Sequence, residues 1–548
     1  MNEEHTAQKD AKSITTQLWS MANALRGNMD ASEYRNYILA FIFYRYLSEH
    51  QEKYLMDQKI IDVEPGQSIN DAYLEQASGE NLQDYLDDIS SSLGYAINPE
   101  DTWTTIVNKI ANNQLKPEDF QNMFDHFREN AELNVNAYDS GDFRGIFADV
   151  NLGNSRLGEN TATKTKTLSK IVELVNNFTY KDENGHDILG DVYEYLIAEF
   201  AGNSGKKAGE FYTPHRVSMV LAKLVTLDYN NNSEQPFSVY DPAMGSGSLL
   251  LTVRNEIPNG NERNHVILNG QELNTTTYNL ARMNIMMHNI DYRNMRVHNG
   301  DSLENDWPII TDNHGIEHPA AFDAVVENPP YSEHWDNNDS KLKDPRFKDY
   351  GALAPKTKAD YAFLLHGLYH LKTTGTMAIV LPHGVLFRGA KEGIIRKALL
   401  EKNQIDAIIG LPEKLFYSTG IPTIIMVLKK VRDRRDVLFI DASKDFEKGK
   451  NQNILRLEDI NKIIDTYKAR QDVDKYAHVA SMDEIKENDY NLNIPRYVDT
   501  FEPEPEIDIN QVNKELADVD QQIATVEKEL DAMIADLVET GVDNDDNK

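Results

Sequence analysis

Seven short runs rich in Val, Ile and Leu, separated mostly by amphipathic stretches, constrain this chain more than any other feature. They are FSVYD (237–241), HVILNGQE (265–272), MRVHNGD (295–301), FDAVVENPP (322–330), TMAIVLP (376–382), IDAIIGLP (405–412) and PTIIMVLKK (422–430). Runs of this length suit buried strands. Stretches 247–256, 274–289, 359–372 and 388–402 between them carry apolar residues at helical spacing. The alternation predicts an α/β fold with a doubly wound sheet. Ligands of such sheets bind outside the carboxyl ends of the strands, so the turns after 241, 272, 301 and 328 should share one rim.

At 548 residues the chain exceeds what one core holds. Residues 12–55 carry apolar positions at three- and four-residue spacing, including Leu18, Tyr37, Phe41, Tyr44 and Leu47. We expect an all-α domain over 1–165, an α/β domain over 166–500 and a separate tail over 501–548. In the tail Val512, Leu516, Val519, Ile523, Val526, Leu530, Met533 and Leu537 alternate by four and three. That is a coiled-coil seam on an acidic helix, with 15 acidic and 3 basic residues over 501–548. Such a helix needs a partner or the N-terminal helices to cover its stripe, and the final GVDNDDNK reads as disordered.

Cysteine is absent, which excludes disulfides, thiol catalysis and Cys-ligated metal; no metal-spaced His cluster is apparent, and no metal is expected. The polar start MNEEHTAQKD resembles no signal peptide, and no apolar run reaches membrane-spanning length, so a cytoplasmic, membrane-free protein is expected. Net charge is −33, from 89 acidic and 56 basic residues. Proteins that grip DNA alone usually present a basic face. Either nucleic acid is not the substrate, or a partner supplies most of the backbone grip.

The run VYDPAMGSGSLLL (239–251) joins a strand, an acidic residue, a Gly-rich turn and a helix start. Gly245 and Gly247, with Ser246 between them, permit a tight turn and close approach of a ligand. Helix N-terminal amides can receive a negative group. Asp241 at the mouth repels pyrophosphate and attracts an ammonium, and the chain lacks the glycine–lysine pattern of a P-loop. A ligand with an amino-acid moiety fits. Glu272, about 25 residues beyond the glycines, stands where an acidic residue typically chelates ribose hydroxyls. Asp301 at the third strand end can accept from an adenine amino group. Each carboxylate alone is more often a loop residue or helix cap. Together at successive strand ends they describe S-adenosylmethionine.

The fourth strand end carries Asn328, Pro329, Pro330 and Tyr331. By itself this is a proline-rich turn. An exocyclic base amine is a poor nucleophile because its lone pair is delocalised into the ring. Accepting both its hydrogens, with the Asn328 side-chain oxygen and the Pro329 carbonyl, localises that pair. Proline fixes the backbone that presents the carbonyl. The Tyr331 ring offers a platform for a flipped base.

With these residues assembled, the chain resembles the modification (HsdM) subunits of type I restriction–modification systems, which are adenine-N6 DNA methyltransferases. The likeness runs through LWSMANALRGNMDASEYRNYILAFIFYRYLSE, KKAGEFYTP, DPAMGSGSLLL, NPPY, LPHGVLFRGAKEGIIRKALL and GLPEKLFYSTGIPTIIMVLKK. It implies a Rossmann-like methyltransferase sheet and S-adenosylmethionine as cofactor. Phe211, Tyr212, Thr213 and Pro214, with Asp241, Gly245, Ser246 and Gly247, would then hold the methionine end. Glu272 would hold the ribose, Asp301 the cofactor adenine, and Asn328 to Tyr331 the target base. Family turns often carry Cys or Ala where this chain has Met244, which predicts altered packing there.

The resemblance also implies double-stranded DNA as substrate and a specificity subunit that reads the site. Two modification subunits would join one specificity subunit, with restriction motor–nuclease subunits added for cleavage. The tail is then a candidate for docking on the specificity subunit. The basic loop 332–360, with Lys341, Lys343, Arg346, Lys348, Lys356 and Lys358, is expected to face DNA. Competing readings are a protein-glutamine methyltransferase, which shares Asn-Pro-Pro-Tyr but is usually shorter, and an inactive assembly protein.

Overall fold

The computed structural model describes residues 31–133, 143–177, 189–203, 213–229, 235–258, 263, 265–304, 308–312, 314–416, 420–449, 452–500 and 509–540. The chain forms two compact units, Met1–Asp499 and Thr500–Lys548.

The first unit is built on a nine-stranded sheet. Its strands are β1 (Phe237–Asp241), β2 (Val266–Glu272), β3 (Met295–Asn299), β4 (Phe322–Glu327), β5 (Leu371–Pro382), β6 (Ile405–Gly410), β7 (Thr423–Leu428), β8 (Asp436–Asp441) and β9 (Ala477–Ser481). Spatial order is β9-β8-β6-β7-β5-β4-β1-β2-β3. Strands β3, β2, β1, β4 and β5 run parallel. Strand β7 lies antiparallel between β5 and β6. Residues 411–422 alone join β6 to β7, and so short a connection suits a neighbouring strand that returns antiparallel.

All seven expected runs are strands, and β8 and β9 extend the sheet beyond them. Strand β9 escaped the pattern because AHVAS is short and half polar, as suits an edge.

Both sheet faces are covered, as parallel strands require. On β4, Ala324 and Val326 join one apolar cluster while Val325 joins the other. The first cluster takes in α7 (His215–Thr226), α8 (Ser248–Glu256), α9 (Thr275–Met287) and α12 (Leu457–Ala469). The second takes in α10 (Asp360–Tyr369) and α11 (Ala390–Glu401).

The N-terminal region is helical, with α1 (Ala31–Asp57), α2 (Leu82–Leu93), α3 (Trp103–Ala111), α4 (Asp119–Glu132), α5 (Thr161–Asn176) and α6 (Leu189–Asn203). The part of the first expected helix before residue 31 lies outside the described residues. Phe41, Tyr44, Phe124, Phe127 and Phe147 form a knot of tilted and edge-on rings at 5.0–6.1 Å. This knot is continuous with the first apolar cluster, so the helical region and one face of the sheet share a core.

In the second unit, α13 (Ile509–Thr540) is one 32-residue helix. Its seam residues Val512, Leu516, Val519, Ile523, Val526, Leu530 and Met533 are all exposed. The disorder expected for the final eight residues falls outside the described residues.

Candidate active site

The turn after β1 is fixed by its own backbone and by β2. Asp241 Oδ1 accepts from the Ala243 amide at 3.0 Å, closing a side-chain turn. The Met244 amide donates to Gln271 O at 2.9 Å, and the Gly247 amide to Met244 O at 2.8 Å. Gly245 and Gly247 have φ of +54° and +76°, the left-handed region where a Cβ is costly. Gly247 is the residue from which α8 starts. Ser246 is buried, its hydroxyl paired with Ser248 Oγ at 3.0 Å and its carbonyl accepting from Asn284 Nδ2 at 2.9 Å. Met244 fills room left by a glycine in the next strand. A Cβ on Gly270 would sit 3.2 Å from Met244 Cβ and closer still to its sulfur.

Glu272, at the end of β2, braces this turn. Its Oε2 accepts from the Gly245 amide at 3.2 Å and its Oε1 from the Asn274 amide at 2.8 Å. Burial pushes its carboxyl up to about 7, against the lowering effect of those amides. Burial pushes Asp241 up to about 8; the Ala243 amide opposes the rise and the nearby Glu272 adds to it. A third acid stands with them. Glu327, the last residue of β4, is fully buried, and neither carboxyl oxygen has a hydrogen-bond partner among the described residues. Burial first, then Asp241, holds its carboxyl well above the usual range. Among the described residues no Lys or Arg forms an ion pair with Asp241, Glu272 or Glu327.

At the third strand end Asp301 is half-buried and its Oδ1 accepts from the Leu303 amide at 2.9 Å. Ser302 Oγ donates to Pro242 O, which ties this end to the turn after β1.

The Asn-Pro-Pro-Tyr segment is held from two sides. Asn328 Nδ2 donates to Thr213 Oγ1 at 3.0 Å, and the Tyr331 hydroxyl donates to Asn328 Oδ1 at 2.7 Å. A carbonyl oxygen has two lone pairs, so Oδ1 keeps one for a further donor. Pro329 is buried, Pro330 half-buried, and the Tyr331 ring meets Phe416 edge-on at 6.2 Å. Thr213 therefore joins the segment before the Gly-rich turn to the fourth strand end. Pro214 starts α7. Phe211 and Tyr212 lie outside the described residues.

The basic loop is less basic at its surface than its composition suggests. Lys341 pairs with Glu304 and lies 5.0 Å over the Trp335 ring. Arg346 is buried, bonded to Asp344 and to Ser302 O. Its Nη1 also reaches His366 Nδ1 at 3.0 Å. Since guanidinium only donates, Nδ1 accepts and the ring proton sits on Nε2, 2.8 Å from the Tyr240 hydroxyl. Tyr240 then donates to Gln271 Oε1. This chain anchors the loop to β1 and β2, and leaves Lys343, Lys348 and Lys356 exposed.

The sequence pattern missed Glu327, the Tyr331–Asn328 bond and Phe416. Glu327 had a signal: a carboxylate closing the apolar run FDAVV is costly to bury without a purpose.

Comparison with known proteins decides the family. The N-6 DNA Methylase model matches residues 184–506, and the HsdM N-terminal domain model matches residues 14–175. The type I restriction enzyme MpnII methylase subunit of Mycoplasma pneumoniae is 35% identical, over 98% of both chains. The chain belongs to the type I restriction enzyme methylase subunits. It is thus a DNA methyltransferase of the adenine-N6 class. The HindI methylase subunit of Haemophilus influenzae is 34% identical over 60% of this chain and 72% of its own. A solved type I restriction–modification methyltransferase subunit from Streptococcus thermophilus is 43% identical. It superposes with a TM-score of 0.79, over 89% of this chain and all of that one. In this family the expected methyltransferase sheet, N-terminal helices and C-terminal helix are the ones described above. No helix among the described residues is long and apolar enough to cross a membrane.

Proposed function

We propose that this chain transfers a methyl group from S-adenosylmethionine to the N6 amine of an adenine flipped out of duplex DNA. The observation that carries the reading is the Thr213–Asn328–Tyr331 chain, which holds a free lone pair of Asn328 Oδ1 at the strand end next to the acid-lined turn.

The residues fit the cofactor's cationic amino-acid end, because the mouth holds three buried carboxyls that, among the described residues, have no paired cation, and one of them has no hydrogen-bond partner there. Asp241 and the Gly245–Gly247 turn would hold that end, Glu272 the ribose and Asp301 the adenine. Phe211, Tyr212, Thr213 and Pro214 would contact the methionine part. When bound, the cofactor supplies a methyl group on a sulfonium. The protein's part is to prepare the amine. Asn328 Oδ1 and the Pro329 carbonyl accept its two hydrogens, Pro329 and Pro330 keep that backbone rigid, and Tyr331 stacks the base.

The remaining organisation follows from the charge. A separate specificity subunit would choose the site and supply backbone grip that a chain of net charge −33 lacks. The exposed seam of α13 would dock on that subunit in an assembly of two methylase subunits and one specificity subunit, with motor–nuclease subunits joining for restriction. Lys343, Lys348 and Lys356 would face DNA. The division 1–165, 166–500 and 501–548 assigns these roles to a helical domain, a catalytic domain and a docking tail, in a cytoplasmic protein.

The test is to incubate the chain, its specificity subunit and duplex DNA with isotopically labelled S-adenosylmethionine and digest the DNA to nucleosides. Label in N6-methyl-2′-deoxyadenosine, lost in Asn328→Ala with cofactor binding intact, supports the reading. Label on another base or on protein glutamine contradicts it.

A further inference from the structure

Glu327 is a carboxylic acid that the fold does not use. It ends β4 and is fully buried, and both its oxygens lack partners among the described residues. In the parallel pairing of β1 with β4, Val239 lies opposite Ala324 and Tyr240 opposite Val325. Two residues further along, Glu327 stands level with the start of the turn that Asp241 opens. Asp241 is also the charged neighbour that acts on it. A buried acid with no donor costs stability, and a second acid beside it adds to that cost. Such a pair suits a ligand that brings positive charge and N–H donors.

We propose that Glu327, with Asp241, forms a two-carboxylate receptor for the α-ammonium of the methyl donor; this rests on the reading of the chain as an S-adenosylmethionine enzyme. Two positive groups exist on that ligand, and the chemistry separates them. A carboxylate set against the sulfonium would favour the charge that methyl transfer removes, and so would oppose the reaction. The ammonium keeps its charge through the reaction and can donate to both carboxylates without raising the barrier. Glu327 thus acts as an anchor of the cofactor's amino-acid end, immediately before the residue that receives the target base.

Isothermal titration of the full-length chain with three ligands tests this. S-adenosylmethionine has both charges, S-adenosylhomocysteine only the ammonium, and 5′-methylthioadenosine neither. Glu327→Gln should weaken the first two alike, by about tenfold or more, and leave the third within about twofold. Loss confined to S-adenosylmethionine would assign Glu327 to the sulfonium and overturn the proposal. Equal loss for all three ligands, or no loss, would overturn it as well. If the wild-type chain binds none of the three, the S-adenosylmethionine reading itself has failed, and the proposal with it. Folding supplies an independent arm: removing an orphan acid should raise the melting temperature of ligand-free Glu327→Met. A fall would mean that the carboxyl supports the fold instead.

Discussion

The Tyr331 hydroxyl offers a way to separate orienting the catalytic amide from stacking the base. Tyr331→Phe keeps the ring and its edge-on contact with Phe416, and deletes only the 2.7 Å bond to Asn328 Oδ1. A neutral hydrogen bond of this kind contributes about 0.5–1.5 kcal/mol, so methyl transfer should slow by about 2- to 13-fold. Tyr331→Ala also removes the stacking platform, at about 1–3 kcal/mol, for a further 5- to 150-fold or so. Asn328→Ala removes the acceptor and should cost about a hundredfold to a thousandfold, the scale of deleting one polar group that stabilises developing charge. The assay is single-turnover methylation of a saturating duplex by the chain with its specificity subunit. S-adenosylmethionine affinity is measured in parallel and should be unchanged in Tyr331→Phe. A Tyr331→Phe rate within experimental error of wild type would refute the orienting role. A loss as large as that of Asn328→Ala would refute the division of labour.

Four other outcomes are expected. Asp241 is raised to about 8 by burial and so is protonated in the folded chain, but ionised when unfolded, at neutral pH. Its contribution is therefore complete below pH about 4 and is lost as pH rises towards 8, by up to about 1.4 kcal/mol per pH unit. Asp241→Asn should flatten the fall in ligand-free stability between pH 6 and 8 in urea titrations; an unchanged slope would argue against a buried neutral acid. Gly270→Ala should cost about 1–3 kcal/mol by crowding Met244 and Leu250, and adding Met244→Ala should recover much of it in a double-mutant cycle. Simple additivity would show that the two do not compete for space. Truncation after residue 505 should release the specificity subunit in a pull-down, since it removes the exposed seam of α13. The isolated chain should barely bind duplex DNA at physiological salt, and tight binding in a gel-shift assay would contradict the reading of its charge.

How much of this was legible in the sequence varies with physical cause. The seven apolar runs became strands because a strand covered on both faces must be apolar on both, whichever way it runs, which leaves a mark that needs no partner to interpret. Strand β9 was hidden because an edge strand can be half polar. The rim of Asp241, Glu272, Asp301 and Asn328 could be read because strand ends recur in order. Hydrogen bonds across the site could not be. Thr213 and Asn328 are 115 positions apart, and nothing in either segment announces their contact. Arg346 shows the converse error, since a basic residue in a polar loop reads as a surface charge. Here Asp344, Ser302 and His366 make its burial possible.

Mapping methylated bases across host DNA tests the central claim most directly. Cells lacking other methyltransferases would express the chain with its specificity subunit, and the same pair carrying Asn328→Ala. The account predicts N6-methyladenine at one recurring sequence with the wild-type chain and none with the variant. Methylation that persists at that sequence in Asn328→Ala, or a wild-type map without N6-methyladenine, would contradict it.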